Sequence, residues 1–237
     1  MINQLKQYPI FENKEIESFK LLENQGYCNE NYLLKTENQK YLIRKFKLEH
    51  DRKFEFKVQK LAYEKNIAAK PMILDEKNGL MICEFLEGSH KIALDKHDLE
   101  KLANLLRELH NIKLNVKPLD LKKVLTSKSR VVEEAFITLK KYKVEEVLCH
   151  NDLNFKNILF TDEVKLIDWE YAGANDRYFD LASVCVEFDL DNKNETYFLE
   201  HYFDISEKIY MEKIVGYKAI YKALCEQWFK ELKTTLQ

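Results

Sequence analysis

The sequence predicts an α+β fold of two lobes, and two observations support this prediction. Short apolar segments separated by turn residues fill the first third of the chain, a pattern typical of strands. From about residue 91 the apolar residues recur at helical spacing, which is typical of amphipathic helices. We therefore expect a β-rich N-terminal lobe at 1–83, a hinge at 84–90 and an α-rich C-terminal lobe at 91–237.

Two hairpins and one helix make up most of the predicted N-terminal lobe. Each hairpin consists of two apolar segments that flank a polar turn, at 37–39 in the first and at 75–79 in the second. Asp51 can cap a helix that continues through Ala62. The predicted strands of this lobe are 19–22, 31–35, 40–46, 72–74 and 80–83.

Helices dominate the predicted C-terminal lobe. Asp98 can cap a helix with an apolar face, and a further helix is expected to cover about 119–142. From about Tyr178 the chain is again helical, with frequent aromatic residues. Three short extended segments interrupt the helices, at 147–149, 157–160 and 164–167. We expect the last two to form a small hairpin.

Composition excludes several classes of function. The net charge is −2, without the clustered basic excess of a nucleic-acid-binding protein, so no nucleic-acid partner is expected. No segment approaches the roughly 18 apolar residues of a membrane span, so no membrane insertion is expected. The five cysteines lack metal-binding spacing and mostly have apolar neighbours, which indicates reduced thiols in a cytoplasmic protein. The oligomeric state is left open.

The most informative segment has the pattern H-x-D-x-x-x-x-N, from His150 to Asn157, and an apolar strand ending at Asp168 follows it. Phosphoryl transfer requires a carboxylate near the acceptor hydroxyl and oxygen ligands for the Mg²⁺ that bridges the phosphates. Asp152 and Asn157 lie five residues apart across a turn, and the returning strand can bring Asp168 to the same point. The pattern therefore predicts a kinase that uses ATP and Mg²⁺.

These motifs resemble those of the choline/ethanolamine kinase and aminoglycoside phosphotransferase superfamily, and most of all those of bacterial choline kinases. The resemblance covers nearly the whole chain and is strongest at 150–187. It also includes the hinge-like segment 83–88. It implies a protein-kinase-like fold, with a nucleotide-binding N-terminal lobe and an acceptor pocket in the C-terminal lobe. By this resemblance Asp152 is the catalytic base that also meets the substrate, and Asn157 and Asp168 hold Mg²⁺.

The resemblance also implies a nucleotide site. The backbone of Glu84 and Leu86 is expected to meet adenine. The phosphate-covering loop is expected at 25–31, a segment that includes Asn29. Arg44 is expected to pair with the ATP phosphates, with Glu55 as its partner on the following helix.

The acceptor is predicted to be a small cationic alcohol, with choline first. A trimethylammonium group needs aromatic faces and a carboxylate, because it cannot donate ordinary hydrogen bonds. By resemblance Glu187 supplies that carboxylate and Trp228 an aromatic wall. The further expected substrate contacts are Glu170, Tyr217 and Tyr221.

Three alternatives to this acceptor and activity remain open at this point. The chain can be a thiamine kinase, since thiamine is a cationic alcohol and its kinases share the same loop motifs. It can be an enzyme like the aminoglycoside 3'-phosphotransferases, although these usually add helices to build an acidic pocket. A non-catalytic ATP-binding scaffold is the third alternative, which the intact Asp152, Asn157 and Asp168 disfavour.

Overall fold

The computed structural model describes residues 2–23 and 28–235. The chain divides into two compact units, Met1–Glu87 and Gly88–Gln237. An antiparallel sheet makes up most of the first unit, and helices make up most of the second. This distribution confirms the predicted α+β fold class. The hinge role of 84–90 remains a prediction.

Among its described residues the first unit contains two α-helices and five strands. Its elements are α1 (Ile2–Leu5), β1 (Ile16–Leu21), β2 (Asn29–Thr36), β3 (Gln39–Phe46), α2 (Arg52–Glu64), β4 (Pro71–Asp75) and β5 (Leu80–Glu84). The strands form one antiparallel sheet in the order β1-β2-β3-β5-β4, so both predicted hairpins are present. Asp51 accepts a hydrogen bond from the N–H of Phe54 at 3.0 Å, which is the capping role predicted for it.

The first unit has its own hydrophobic core on one face of this sheet. The buried members of that core are Leu5, Phe11, Leu34, Tyr41, Ile43, Leu80 and Ile82. Successive side chains of a strand point to opposite faces, so Ile43 packs in this core while the neighbouring Arg44 lies on the other face of the sheet. This alternation determines the face on which the predicted phosphate-pairing cation lies.

The second unit contains six helices and four short strands among its described residues. Its elements are α3 (Lys96–His110), α4 (Leu121–Val124), α5 (Arg130–Leu139), β6 (Glu146–Cys149), β7 (Ile158–Phe160), β8 (Val164–Leu166), β9 (Gly173–Asp176), α6 (Arg177–Glu187), α7 (Asn192–Tyr202) and α8 (Met211–Thr235). Strands β7 and β8 form the predicted hairpin, and β6 pairs with β9 in a second two-stranded sheet. Sequence patterns did not predict β9. None of the helices in the described part of the chain has the length and apolar character needed to cross a lipid bilayer.

Two helix predictions for this unit were wrong. Helix α3 begins at Lys96, and its cap is Asp95, whose carboxylate accepts the N–H of Asp98 at 2.8 Å. Asp98 accepts the N–H of Asp95 in return, which forms a capping box. The single helix expected over 119–142 is interrupted between α4 and α5, because Ser129 starts a new helix as its N-cap.

Gly88 begins the second unit at a close approach to the β7 strand. Its neighbour Ser89 exchanges two backbone hydrogen bonds with Phe160, each 2.9 Å long. A Cβ atom on Gly88 would lie 2.7 Å from both the Cγ of Leu159 and the carbonyl oxygen of Phe160. Only glycine fits at this position without displacing the hairpin that leads to Asp168.

We predict that Gly88→Ala lowers the free energy of unfolding by about 1–3 kcal/mol, because the added methyl group overpacks a backbone contact. Urea unfolding measures this change. Ser89→Ala is the matched control, because it removes an exposed hydroxyl and keeps both backbone bonds to Phe160. Equal stabilities of the two variants would contradict the close packing described for Gly88.

Candidate active site

The loop between β6 and β7 holds the carboxylate of Asp152 between two amide groups. Asn154 Nδ2 donates to Oδ1 of Asp152 at 3.1 Å, and Asn157 Nδ2 donates to Oδ2 at 2.7 Å. Asn157 Nδ2 also donates to the backbone carbonyl of Asp152 at 2.9 Å. Since the amide nitrogen of Asn157 makes these bonds, its side-chain oxygen is the atom suited to bind a cation.

Burial raises the pKa of Asp152 above its ordinary value, and the charge of Asp168 acts in the same direction. His150 and the hydrogen bonds from Asn154 and Asn157 partly oppose this shift. A carboxylate whose pKa is raised toward neutrality is a stronger base than an ordinary aspartate. The contribution from Asp168 also indicates that the two carboxylates lie near one another.

Asp168 follows β8 in a left-handed backbone conformation, with φ of 65°. The N–H of Ile167 donates to the carbonyl of Asn157 at 3.0 Å, which brings the end of β8 beside the end of the catalytic loop. His150 Nε2 donates to the carbonyl of Ile167, also at 3.0 Å. The His150 ring packs against the buried indole of Trp169, with 4.8 Å between ring centroids. The structure therefore brings together Asp152, Asn157 and Asp168, as the sequence predicted.

A buried carboxylate on α6 anchors the backbone at the start of the catalytic loop. Asp180 is fully buried and accepts the N–H groups of His150 at 2.8 Å and Asn151 at 2.9 Å. His110 Nε2 donates to the same carboxylate at 3.1 Å, and the hydroxyl of Tyr202 donates to His110 Nδ1 at 2.6 Å. The sequence patterns did not predict this network. An aspartate within the apolar run of α6 was the signal for it.

Several of the residues predicted to contact the phosphate-accepting alcohol lie on α6 and α8. The hydroxyl of Tyr221 donates to Glu187 Oε1 at 2.8 Å. Burial raises the pKa of Tyr221, and the charges of Cys225, Glu187 and Asp152 add to the effect, so this hydroxyl stays a donor. Burial, with smaller contributions from Glu187 and Asp152, raises the pKa of Cys225 to about 11. The carboxylates of Glu187 and Asp152 therefore both lie near the segment of α8 that carries Tyr221 and Cys225.

The remaining predicted acceptor residues differ in exposure. Tyr217 is buried, and its ring packs edge-on against Phe179. Burial raises the pKa of its hydroxyl, and the carboxylate of Asp176 adds to this effect. Trp228 is 37% exposed on α8, where its ring packs against Phe229. Glu170 is partly exposed in the segment after Asp168. The substrate contacts assigned to these residues remain predictions.

In the first unit Arg44 and Glu55 form a buried ion pair, with 2.6 Å between Nη1 and Oε1. The other carboxylate oxygen of Glu55 pairs with Arg52 at 2.6 Å, and the Arg52 guanidinium packs over the Phe46 ring at 4.2 Å. Because these side chains are buried, the carboxylate of Glu55 fixes the positions of both guanidinium groups. Arg52 was missed in the sequence.

The other predicted nucleotide residues lie at the ends of strands of the first unit. Asn29 is buried at the start of β2, and Glu84 ends β5. Leu86 follows two residues later and is partly exposed. Of the predicted phosphate-covering loop at 25–31, residues 25–27 lie outside the described residues.

Comparison with known proteins supports the resemblance seen in the sequence. Residues 119–218 match the model of the choline/ethanolamine kinase family. Protein LicA of Haemophilus influenzae is 26% identical over 77% of this chain, and the match covers 62% of that protein. The chain thus spans less than two thirds of the length of this curated relative.

Solved structures share the fold. The choline kinase LicA from Streptococcus pneumoniae superposes with a TM-score of 0.81 at 23% identity, covering 98% of this chain and 92% of that one. A spectinomycin phosphotransferase in complex with ADP and spectinomycin gives a TM-score of 0.69 at 14% identity, covering 94% and 86%. The chain therefore has the protein-kinase-like fold of these two structures. Its residues 119–218 resemble the choline/ethanolamine kinase family, as the motifs indicated.

We predict that Asp180→Ala lowers the free energy of unfolding by about 2–5 kcal/mol, because buried donors on three residues lose their acceptor. Urea unfolding measures the change. The control is Ser183→Ala one turn along α6, where the buried hydroxyl makes a single local bond to the Asp180 carbonyl. That variant is expected to lose about 1 kcal/mol or less. If both variants lost the same stability, Asp180 would not be the anchor.

Proposed function

We propose that this protein is a kinase that transfers the γ-phosphate of ATP to the hydroxyl of choline or a related small cationic amino-alcohol. The observation that carries the proposal is the grouping of Asp152, Asn157 and Asp168 around one loop and one hairpin of the second unit. The match to the choline/ethanolamine kinase family includes all three residues and supports choline as the first acceptor to test.

Asp152 is the proposed catalytic base. The two amide groups that hold its carboxylate fix its orientation, and its raised pKa makes it a stronger proton acceptor. In the reaction the acceptor oxygen forms a bond to the γ-phosphorus while the bond from that phosphorus to ADP breaks. Asp152 orients the acceptor hydroxyl and takes its proton.

The side-chain oxygens of Asn157 and Asp168 would hold Mg²⁺. A carboxylate and an amide oxygen fit this ion, which prefers hard oxygen ligands and keeps several waters. When bound, the ion neutralises charge on the phosphate groups. The hydrogen bond from Asn157 Nδ2 to Asp152 keeps the amide oxygen of Asn157 turned away from the base. The amide nitrogen can therefore orient Asp152 while the amide oxygen would bind Mg²⁺.

The first unit supplies the proposed nucleotide residues. Arg44 would pair with phosphate oxygens, while Glu55 holds the guanidinium in place. Asn29 and the backbone of Glu84 and Leu86 would complete the nucleotide contacts. The ADP complex of the related spectinomycin phosphotransferase supports nucleotide binding by this fold.

Glu187 would attract the cationic head of the acceptor. The Tyr221 hydroxyl donates to this carboxylate at 2.8 Å and orients it. The charges of Glu187 and Asp152 both raise the pKa of Cys225, which supports a location of Glu187 near the proposed base. Trp228 would supply an exposed aromatic face on the same helix as Tyr221. A carboxylate with aromatic neighbours suits a quaternary ammonium group better than it suits a neutral sugar.

A cytoplasmic location remains part of the proposal. Burial raises the pKa of the Cys83 thiol to about 11, and burial also raises the pKa of the Cys149 thiol above its ordinary value. Buried thiols of this kind are unreactive. They suit the reducing compartment in which ATP and a small alcohol are available.

We predict that Asp152→Asn reduces kcat by roughly 10²- to 10⁴-fold, because it removes the proton acceptor while keeping the shape of the side chain. Calorimetry should show that MgATP still binds.

Asp168→Ala should instead abolish Mg²⁺-dependent nucleotide binding, because the ion loses a carboxylate ligand. The exposed Asp162→Asn in the β7–β8 turn is the control and should leave both measurements unchanged. Near-native kcat in Asp152→Asn would refute the assignment of the base.

A second prediction concerns the acceptor. Glu187→Gln keeps an acceptor for the Tyr221 hydroxyl but removes the charge, so KM for choline should rise by about 10-fold or more while KM for ATP changes little. Trp228→Ala should also raise KM for choline, by about 2- to 30-fold. Steady-state kinetics with each substrate varied gives both constants.

The matched control for the charge is Glu226→Gln, an exposed glutamate two positions before Trp228 on α8. It should leave KM for choline unchanged. Competition between choline and thiamine in one assay separates the two cationic alcohols. A neutral sugar that outcompetes both would refute the cation pocket.

A further inference from the structure

Asn151 has an unusual backbone conformation directly before the proposed base. Its φ is 66°, in the left-handed region that glycine, asparagine and aspartate tolerate best. Its N–H donates to Asp180 Oδ1 at 2.9 Å, so the backbone is fixed one residue before Asp152. This conformation turns the side chain toward the segment that follows Asp168.

The side chain of Asn151 joins two separate segments of the second unit. Its Nδ2 donates to the carbonyl of Tyr171 at 3.0 Å and to the carbonyl of Gly173 at 3.4 Å. Its Oδ1 accepts a hydrogen bond from Asn175 Nδ2 at 2.9 Å. The N–H of Asp176 donates to Asn175 Oδ1, which fixes the orientation of that amide and hence that of Asn151.

The surrounding sheet does not depend on this side chain. Strands β6 and β9 already pair through their backbones, from Glu146 opposite Asp176 to Cys149 opposite Gly173. The Asn151 amide extends the connection beyond the last pair of the ladder, to the carbonyl of Tyr171. Loss of the Asn151 side chain therefore removes a link between the loop after β6 and the segment before β9, while these two strands stay paired.

We propose that Asn151 is a positioning residue that fixes the loop carrying the base, Asp152, relative to the loop carrying the metal ligand, Asp168. The proposal rests on the phosphoryl transfer proposed above. Asn151 contributes by holding geometry, since its side-chain atoms are all occupied by bonds to Tyr171, Gly173 and Asn175. Small displacements between a base and a reacting phosphate reduce the rate of the chemical step more than they reduce binding.

Three substitutions at position 151 separate the side chain from the backbone conformation. Asn151→Gly tolerates the positive φ and deletes every side-chain bond. Asn151→Asp also tolerates it and keeps an acceptor for Asn175, but it places a carboxylate oxygen against the carbonyls of Tyr171 and Gly173. Asn151→Ala loses the side-chain bonds and adds strain at positive φ.

The expected result is a fall in kcat of about 10- to 100-fold in Asn151→Gly and Asn151→Asp, with KM for ATP and for choline within about twofold of the wild type. If the positive φ alone mattered, Gly and Asp would keep wild-type kcat and only Ala would lose it, which would overturn the proposal. A rise in KM without a change in kcat would also overturn it.

Thermal melting tests whether each variant folds. If Asn151→Gly does not fold, Asn175→Ala decides, since it removes one of the three bonds and leaves position 151 intact. A fall in kcat of about 3- to 10-fold at unchanged KM is expected from the loss of a single bond. Unchanged kcat would overturn the proposal.

The same variants are also measured in the hydrolysis of MgATP without an acceptor. Hydrolysis by a wild-type protein that does not phosphorylate choline would refute the proposed acceptor alone, and the comparison at Asn151 would then be made on hydrolysis. Choline phosphorylation that is equal in the wild type and in Asn151→Gly would refute the positioning role alone. A wild-type protein inactive in both reactions would refute the proposed function together with the positioning role.

Discussion

The carboxylate of Asp180 lies in the interior of the second unit, where it accepts the backbone N–H groups of two successive residues, His150 and Asn151. Two adjacent N–H groups are rarely available to one acceptor, because successive peptide groups in a strand point in opposite directions. The positive φ of Asn151 turns them toward the same side. The anchor and the left-handed residue therefore require one another.

The geometry of the proposed active site follows from this anchor. With the backbone fixed at 150 and 151, the next residue is Asp152, whose carboxylate is oriented by the amide groups of Asn154 and Asn157. His150, held at its N–H by Asp180, donates from Nε2 to Ile167 and so connects the loop to the residue before Asp168. The first unit uses a similar arrangement, in which the buried carboxylate of Glu55 holds both Arg44 and Arg52. In both units a buried carboxylate orients groups that would meet the substrates.

Much of this organisation could be predicted from local patterns. The hairpins, the cap at Asp51 and the motif from His150 to Asp168 depend on residues close together in the sequence, and the structure contains all of them. The Asp180 network could not be predicted in this way, because its partners lie about 30 to 70 residues away and have no periodic relation to it. The break after α4 was missed because the serine cap was weaker evidence than the apolar spacing around it.

Strand β9 was missed for a related reason. Its four residues, Gly173–Asp176, lack the apolar alternation of a strand and are held by pairing with β6, a tertiary interaction. The roles of the acceptor residues also stay predictions, because aromatic residues at helical spacing serve a core as well as a ligand. Tyr217 and Tyr221 illustrate this, since both are buried while the hydroxyl of Tyr221 also orients Glu187.

The activity proposed for this chain is the phosphorylation of a small cationic alcohol. The most direct measurement is mass-spectrometric identification of the product after incubation with ATP, Mg²⁺ and an equimolar mixture of choline, ethanolamine, thiamine, glucose and kanamycin. We expect phosphocholine as the main product, formed in a one-to-one ratio with ADP and absent when Mg²⁺ is removed. Phosphorylation of glucose or kanamycin in preference to choline, or ADP release without any phosphorylated alcohol, would contradict it.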